Sequence, residues 1–309
     1  MRIVRDLLLR ASRSRWLEAQ FRRRRFAARA VARFLPGETL DAALAAAEAL
    51  RARGCAAVLT LLGENVTDAE EAEAVSRHYL DVLDRVRAAG LDAQISVKPT
   101  QLGLDLGVPT AFAHLRTLAR RAAELGNFVW IDMEGSEYTD RTLALYRRLR
   151  DEHENVGVCL QSYLYRTPRD LADLLERRAA IRLVKGAYRE PPHVAYRRKR
   201  DVDEAYARLA RTLLEAARDD GARPAFGTHD LRLVALIRAE AERGRVPRHA
   251  YEFQMLYGIQ RDAQARLAAD GYRMRVLVSY GDAWFPWFMR RLAERPANLW
   301  FVVRSVLGD

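Results

Sequence analysis

Residues 127–163 read NFVWIDMEGSEYTDRTLALYRRLRDEHENVGVCLQSY, and the fold turns on how this stretch divides. Its two ends, 127–134 and 156–163, are short apolar runs with the length of buried strands, while 139–152 between them is amphipathic with helical period. Strand, helix, strand is the unit from which parallel sheets are built. The same rhythm continues in both directions. Further strand-like runs occur at 56–63, 93–100, 180–188, 223–229, 251–257 and 272–280, with helical segments at 68–89, 110–125, 168–178 and 231–243 among them. Eight strands alternating with helices over roughly 250 residues predict an α/β fold of the (β/α)8 barrel type. An open doubly wound sheet would carry a glycine-rich turn after its first strand, and Leu62-Gly63-Glu64-Asn65 is not that fingerprint. Residues 37–55 predict one more helix, with Glu38 and Asp41 near its start and Gly54 closing it. The chain is expected to divide into an N-terminal basic helical arm, 1–55, packed on a barrel of residues 56–309 whose last helix lies over the mouth.

Composition narrows the class. Half of the 309 residues are hydrophobic, enough for a sizeable core, yet no run of about 18 uncharged apolar residues occurs that would cross a membrane. The apolar run at Leu7, Leu8 and Leu9 is flanked by arginines, unlike a secretory leader. Cys55 and Cys159 are the two cysteines and have no metal-ligand spacing, so no disulfide framework or zinc site is expected, and a reducing cytoplasm is the expected compartment. The net charge of +11 is concentrated at the start: residues 1–34 hold eleven arginines against Asp6 and Glu18, nine of the eleven charges. A basic arm suits an anionic lipid surface, such as the inner face of the cell membrane, or a solvated helix packed through Leu7, Leu8, Trp16 and Phe21. With the body near neutral, no nucleic-acid partner is expected. Only Lys98, Lys185 and Lys199 among the 52 basic residues are lysines, which singles out positions where a compact, rotatable ammonium serves.

Barrel enzymes carry their chemistry at the C-terminal ends of the strands. Here those ends read Ser96-Val97-Lys98-Pro99-Thr100, Asp132-Met133-Glu134, Gln161-Ser162-Tyr163, Lys185-Gly186-Ala187-Tyr188 and Gly227-Thr228-His229-Asp230, with Arg182 inside the fifth strand and Glu252, Gln254 and Gln260 in or beyond the seventh. One polar strand end is ordinary; five in succession predict a functional mouth. The six histidines are scattered and form no His-x-His pair, which disfavours a metallohydrolase, and no nucleophile elbow is present. The cations Lys98, Arg182 and Lys185 suit an anionic ligand with carboxylate or pyrophosphate groups, and the small Gly186 and Ala187 let backbone approach a flat ring. Arg290 and Arg291, in an aromatic-rich stretch, could grip one carboxylate by forked hydrogen bonds.

Together these segments resemble the proline dehydrogenase family, in its monofunctional bacterial type, from about residue 56 to 304. The resemblance is carried by Lys98-Pro99-Thr100, Trp130-Ile131-Asp132-Met133-Glu134, Leu160-Gln161-Ser162-Tyr163, the run from Arg182 to Tyr188, Gly227-Thr228-His229, the run from Glu252 to Gly258, and Arg290-Arg291. It implies noncovalent FAD, oxidation of L-proline to 1-pyrroline-5-carboxylate, and electrons passed to a membrane quinone, with a separate 1-pyrroline-5-carboxylate dehydrogenase as a candidate partner. By matching positions, Met133, Gln161, Arg182, Lys185, Gly186, Ala187, Thr228 and His229 would contact FAD, with Arg182 near the flavin N5. Asp132 would organise the site by pairing with the substrate-side cations; Lys98, Arg290 and Arg291 would bind the proline carboxylate; Ala187, Tyr188 and Leu256 would wall the ring. Glu64 is expected to pair with Arg291 and close the mouth. Relatives often carry Tyr-x-Pro-x-Gly where this chain has Leu277-Val278-Ser279-Tyr280-Gly281, so the preference for proline over hydroxyproline is expected to relax, with Tyr280 filling part of the space. Two rivals stand beside this reading: another flavin barrel of the methylenetetrahydrofolate reductase type, and a colourless, basic surface-binding protein using its barrel as a scaffold.

Overall fold

The computed structural model describes residues 31–219 and 221–294, with side chains through Met289. Eight strands close into a barrel in sequence order: β1 (Ala56–Leu61), β2 (Ala93–Val97), β3 (Val129–Ile131), β4 (Val156–Gln161), β5 (Ala180–Val184), β6 (Arg223–Gly227), β7 (Glu252–Leu256) and β8 (Arg273–Tyr280). All neighbours are parallel, and β8 returns to β1 through six register pairs from Ala56↔Arg275 to Leu61↔Tyr280. Strands covered on both faces must be apolar on both faces, which is why β4 is buried at all six positions. Alternation sends Ala57, Leu59, Ile95, Ile131, Val158, Ile181 and Phe226 outward into the main core against the helices. The opposite set, Val58, Trp130, Ala180, Ala225 and part of Leu277, fills the inside of the barrel. Small residues make room on this crowded wall: a Cβ at Gly157, on β4, would come within 2.6 Å of the Trp130 ring.

The outer ring comprises α1 (Leu40–Arg51), α2 (Ala69–Ala88), α3 (Val108–Glu124), α4 (Thr139–Glu152), α5 (Thr167–Leu175), α6 (Lys199–Asp219), α7 (Leu231–Arg243) and α8 (Arg261–Ala269); α9 (Trp284–Glu294) follows β8. Side chains cap several of them: Thr39, Asp68 and Asp230 each accept an orphan N–H in the first turn of α1, α2 and α7, and Pro109 occupies the first turn of α3. The helix flanking both β8 and β1 is α1, which buries Leu40, Ala43, Ala46, Ala47 and Leu50 in the same core as the strands. The strands are shorter than the apolar runs that announce them in the sequence. The third ends at Ile131 and the fifth at Val184, so Asp132–Glu134 and Lys185–Tyr188 lie in the loops beyond, where the backbone is released to present side chains. No helix among the described residues is long and apolar enough to cross a membrane. The arm contacts expected of Leu7, Leu8, Trp16 and Phe21 lie outside the described residues.

Candidate active site

The mouth is organised around one buried ion pair. Arg182, on the inward face of β5 and only 4% exposed, donates to Asp132 beyond β3, and its guanidinium lies 5.2 Å from the Trp130 ring centre. The same guanidinium donates to Ser96 Oγ at 2.8 Å and to Gln254 Oε1 at 3.4 Å. Burial works most strongly against its charge, but Asp132, Cys159 and Glu252 together outweigh this and raise the guanidinium's proton affinity. Ser96 Oγ donates in turn to Asp132 Oδ1 at 3.0 Å, while Lys98 Nζ stands 4.0 Å from Asp132 Oδ2. One carboxylate thus serves two cations, one on each oxygen.

A second cluster lies at the ends of β5 and β6. Lys185 Nζ is 2.6 Å from Asp203 Oδ1 and 3.2 Å from Asp230 Oδ2, and Lys199 shares both carboxylates. Burial opposes ionisation of Asp230, yet hydrogen bonds from Arg232 and Lys185 outweigh it and hold this carboxyl well below the usual range. Beside the cluster, Gly186 has φ +109°, and a Cβ there would come within 2.3 Å of the Tyr163 ring, so a side chain has no room. Gln161 donates through Nε2 to Met133 O at 2.8 Å and Glu134 O at 3.2 Å, leaving its buried Oε1 without a protein donor. A buried amide oxygen with no donor is costly and points to a ligand N–H. Thr228 N donates to Gln254 O at 3.1 Å, and Leu256 N donates to His229 Nε2 at 2.9 Å, which leaves the neutral ring's proton on Nδ1.

The rim has its own ties. Tyr188 donates to Glu64 Oε1 at 3.2 Å, joining the loops beyond β5 and β1. Glu134 accepts from Thr100 N at 3.0 Å and Thr100 Oγ1 at 2.5 Å, and Thr100 Oγ1 accepts from Asn65 N at 2.9 Å. Burial lifts the Glu134 carboxyl to about 7, despite the opposing Thr100 bonds. Leu277 faces the barrel interior, but Tyr280 does not fill the space near it: alternation along β8 turns Tyr280 outward, where its hydroxyl lies 2.8 Å from His78 Nε2 of α2. That expectation is corrected.

Of the residues expected from sequence, Lys98, Asp132 and Arg182 meet through Asp132, Gln161 and Met133 meet through a hydrogen bond, and His229 and Leu256 meet through another. Tyr188 is joined to Glu64; the side chains of Arg290 and Arg291, on α9, lie outside the described residues. Sequence reasoning did not assign Ser96, Gln254, Asp203, Asp230 or Lys199 a role, although the scarcity of lysine had flagged Lys199. The cradle beside Gly186, the donorless Gln161 oxygen and two lysines on shared carboxylates suit a flat, anionic cofactor with an acidic ring N–H, as a flavin nucleotide is. The cations around Asp132 suit a small carboxylate.

The sequence profile of the family described as Proline dehydrogenase matches residues 43–304. Among curated proteins, Proline dehydrogenase 1 of Bacillus subtilis subsp. natto is 38% identical over 275 residues, covering 89% of this chain and 90% of that one. Proline dehydrogenase of Deinococcus radiodurans is 40% identical over 284 residues, with 89% of each chain covered. Among solved structures, proline utilization A (PutA) of Bdellovibrio bacteriovorus, inactivated by N-propargylglycine, superposes with a TM-score of 0.80 at 28% identity over 87% of this chain and 33% of that one. A closed parallel barrel, a buried Arg–Asp pair at its mouth and these likenesses agree: the chain belongs to the proline dehydrogenase family.

Proposed function

We propose that the enzyme oxidises L-proline to 1-pyrroline-5-carboxylate, the first step of proline catabolism, with FAD as its bound cofactor and a membrane quinone as the final electron acceptor. The observation that carries the reading is the Asp132 carboxylate shared between Arg182 and Lys98, beside the donorless Gln161 oxygen. Bound there, FAD would supply a two-electron acceptor for the hydride leaving the ring carbon next to nitrogen. Met133, Gln161, Arg182, Lys185, Gly186, Ala187, Thr228 and His229 would hold it, and Lys199, close to Lys185, joins them.

Lys98, Arg290 and Arg291 would take the proline carboxylate, and fixing that end of a small ring fixes the distance of its reacting carbon. Asp132 keeps Lys98 and Arg182 from repelling one another and orients both. Ala187, Tyr188 and Leu256 would wall the ring and exclude water. In this reading Glu64, held by the Tyr188 hydroxyl, would pair with Arg291 when substrate enters. With Leu277 in place of a tyrosine, the preference for proline over hydroxyproline would relax. The enzyme would work in the cytoplasm or against the inner face of the cell membrane, held there by the basic arm, and its product would pass to a separate 1-pyrroline-5-carboxylate dehydrogenase.

The test is optical. Purified protein should be yellow, be bleached by L-proline under anaerobic conditions, and reduce an artificial acceptor with proline. A colourless protein, or one bleached by NADH and not by proline, would overturn the reading.

A further inference from the structure

The pairing of β1 with β2 is interrupted near the mouth. Register pairs run from Ala57↔Ala93 to Leu59↔Ile95 and stop there. At the next ladder position the Leu61 N–H does not reach a β2 carbonyl; it donates to the hydroxyl of Tyr79, from α2, at 3.0 Å. That hydroxyl donates onward to Ser96 O, also at 3.0 Å. Tyr79 is fully buried, and burial raises its phenol far above the ordinary range, so it remains a neutral O–H at working pH. A phenolic oxygen therefore stands where a direct strand-to-strand bond would be, and the Ser96 peptide is held by it.

Ser96 itself is completely buried, and its hydroxyl faces the ion pair. It accepts from Arg182 Nη2 at 2.8 Å and donates to Asp132 Oδ1 at 3.0 Å, so it touches both members at once. A donor aimed at Oδ1 fixes the rotation of the carboxylate, which leaves Oδ2 turned to Lys98 at 4.0 Å. We infer that Ser96 is a positioning residue that decides which oxygen of Asp132 serves Arg182 and which serves Lys98, and that Tyr79 sets Ser96 by standing in the β1–β2 ladder. The functional consequence rests on the reading above, in which Arg182 lies at the cofactor and Lys98 at the substrate carboxylate.

The experiment compares flavin-loaded wild type with Ser96→Ala, Ser96→Thr and Tyr79→Phe. Anaerobic stopped-flow reduction by proline, redox titration and the visible spectrum are the readouts. Losing the hydroxyl in Ser96→Ala should slow reduction by about tenfold to a hundredfold, the range that misplacement of a reacting group produces. It should also raise the KM for proline and move the flavin potential. Ser96→Thr, which keeps a hydroxyl, should recover most of the rate, and Tyr79→Phe should fall between Ser96→Ala and wild type. Wild-type rate, KM and potential in Ser96→Ala would overturn the positioning role. If Ser96→Ala yields no folded protein, a wild-type rate in Tyr79→Phe would overturn it instead. A wild-type enzyme that proline cannot reduce would sink the functional reading, a result distinct from either.

Discussion

Glu134 illustrates how much a single buried carboxyl contributes. It is 2% exposed and its carboxyl titrates at about 7, because burial penalises the charge more than the Thr100 N–H and O–H can compensate. For an acid whose affinity for its proton is higher folded than unfolded, the associated stability is fully present below the unfolded value and is lost as pH rises through the folded one. The window therefore runs from the ordinary carboxyl value of 4.5 up to about 7, above which the cost of ionised Glu134 is constant. At 1.4 kcal/mol per tenfold in proton affinity, that cost is on the order of 3 kcal/mol. Glu134→Gln keeps the shape without the titration. The variant should gain stability relative to wild type at pH 8, lose the gain by pH 4.5, and show a flatter profile between them in denaturant melts. Parallel wild-type and variant profiles would rule this out. Such a residue could be flagged at a strand end from sequence, but its bonds to Thr100 could not, since they depend on two loops meeting.

The elements at the mouth are tied together by a segment whose role is not visible in any periodicity. Residues 31–38 run against both the turn after β7 and the start of α9. Phe34 lies 6.5 Å from Phe288, Trp284 Nε1 donates to Glu38 Oε1 at 2.7 Å, and Gly258, at φ +78°, lies so close to the chain that a Cβ there would come within 1.7 Å of Arg33 O. Strands and most helices were legible because burial on one or two faces imposes a period on the side chains. Packing of one loop's backbone on another imposes none, so the Gly258 contact and the Tyr79 hydroxyl in the β1–β2 ladder leave no pattern to read. The strand ends were legible as chemistry for the opposite reason: polar residues recur at one end of successive strands. Gly258→Ala tests the tie. Strain at positive φ and the clash together should cost about 2–4 kcal/mol. By displacing α9, which carries Arg290 and Arg291, the variant should raise the KM for proline more than it lowers flavin content. A KM equal to wild type would detach this segment from substrate binding.

At the scale of the molecule, the barrel interior is not uniformly apolar. A polar column runs from mouth to base: Lys98, Asp132 and Arg182, then Gln254 at 3.4 Å from Arg182, Glu252 at 2.5 Å from Gln254, Arg275 at 3.2 Å from Glu252, and Asp92 at 2.8 Å from Arg275. Arg275 also donates to Ala57 O at 3.1 Å, a backbone carbonyl of the barrel wall. Its charge is disfavoured by burial and restored by Glu252 first and Asp92 second. Removing one partner of a buried pair strands the other charge, whereas replacing both removes the problem. Arg275→Met should therefore destabilise the enzyme by about 3–5 kcal/mol, and Glu252→Leu combined with Arg275→Met should recover most of that loss. Activity should not recover in step. With Glu252 gone, the Gln254 amide loses the acceptor that orients it, and Arg182 loses a fixed neighbour. Denaturant midpoints and proline turnover measured on the same three proteins separate the two effects. A double variant no more stable than Arg275→Met would show that the column is not the coupled pair its geometry describes; one that regains both stability and full turnover would show that the base of the barrel does not hold Arg182 in place.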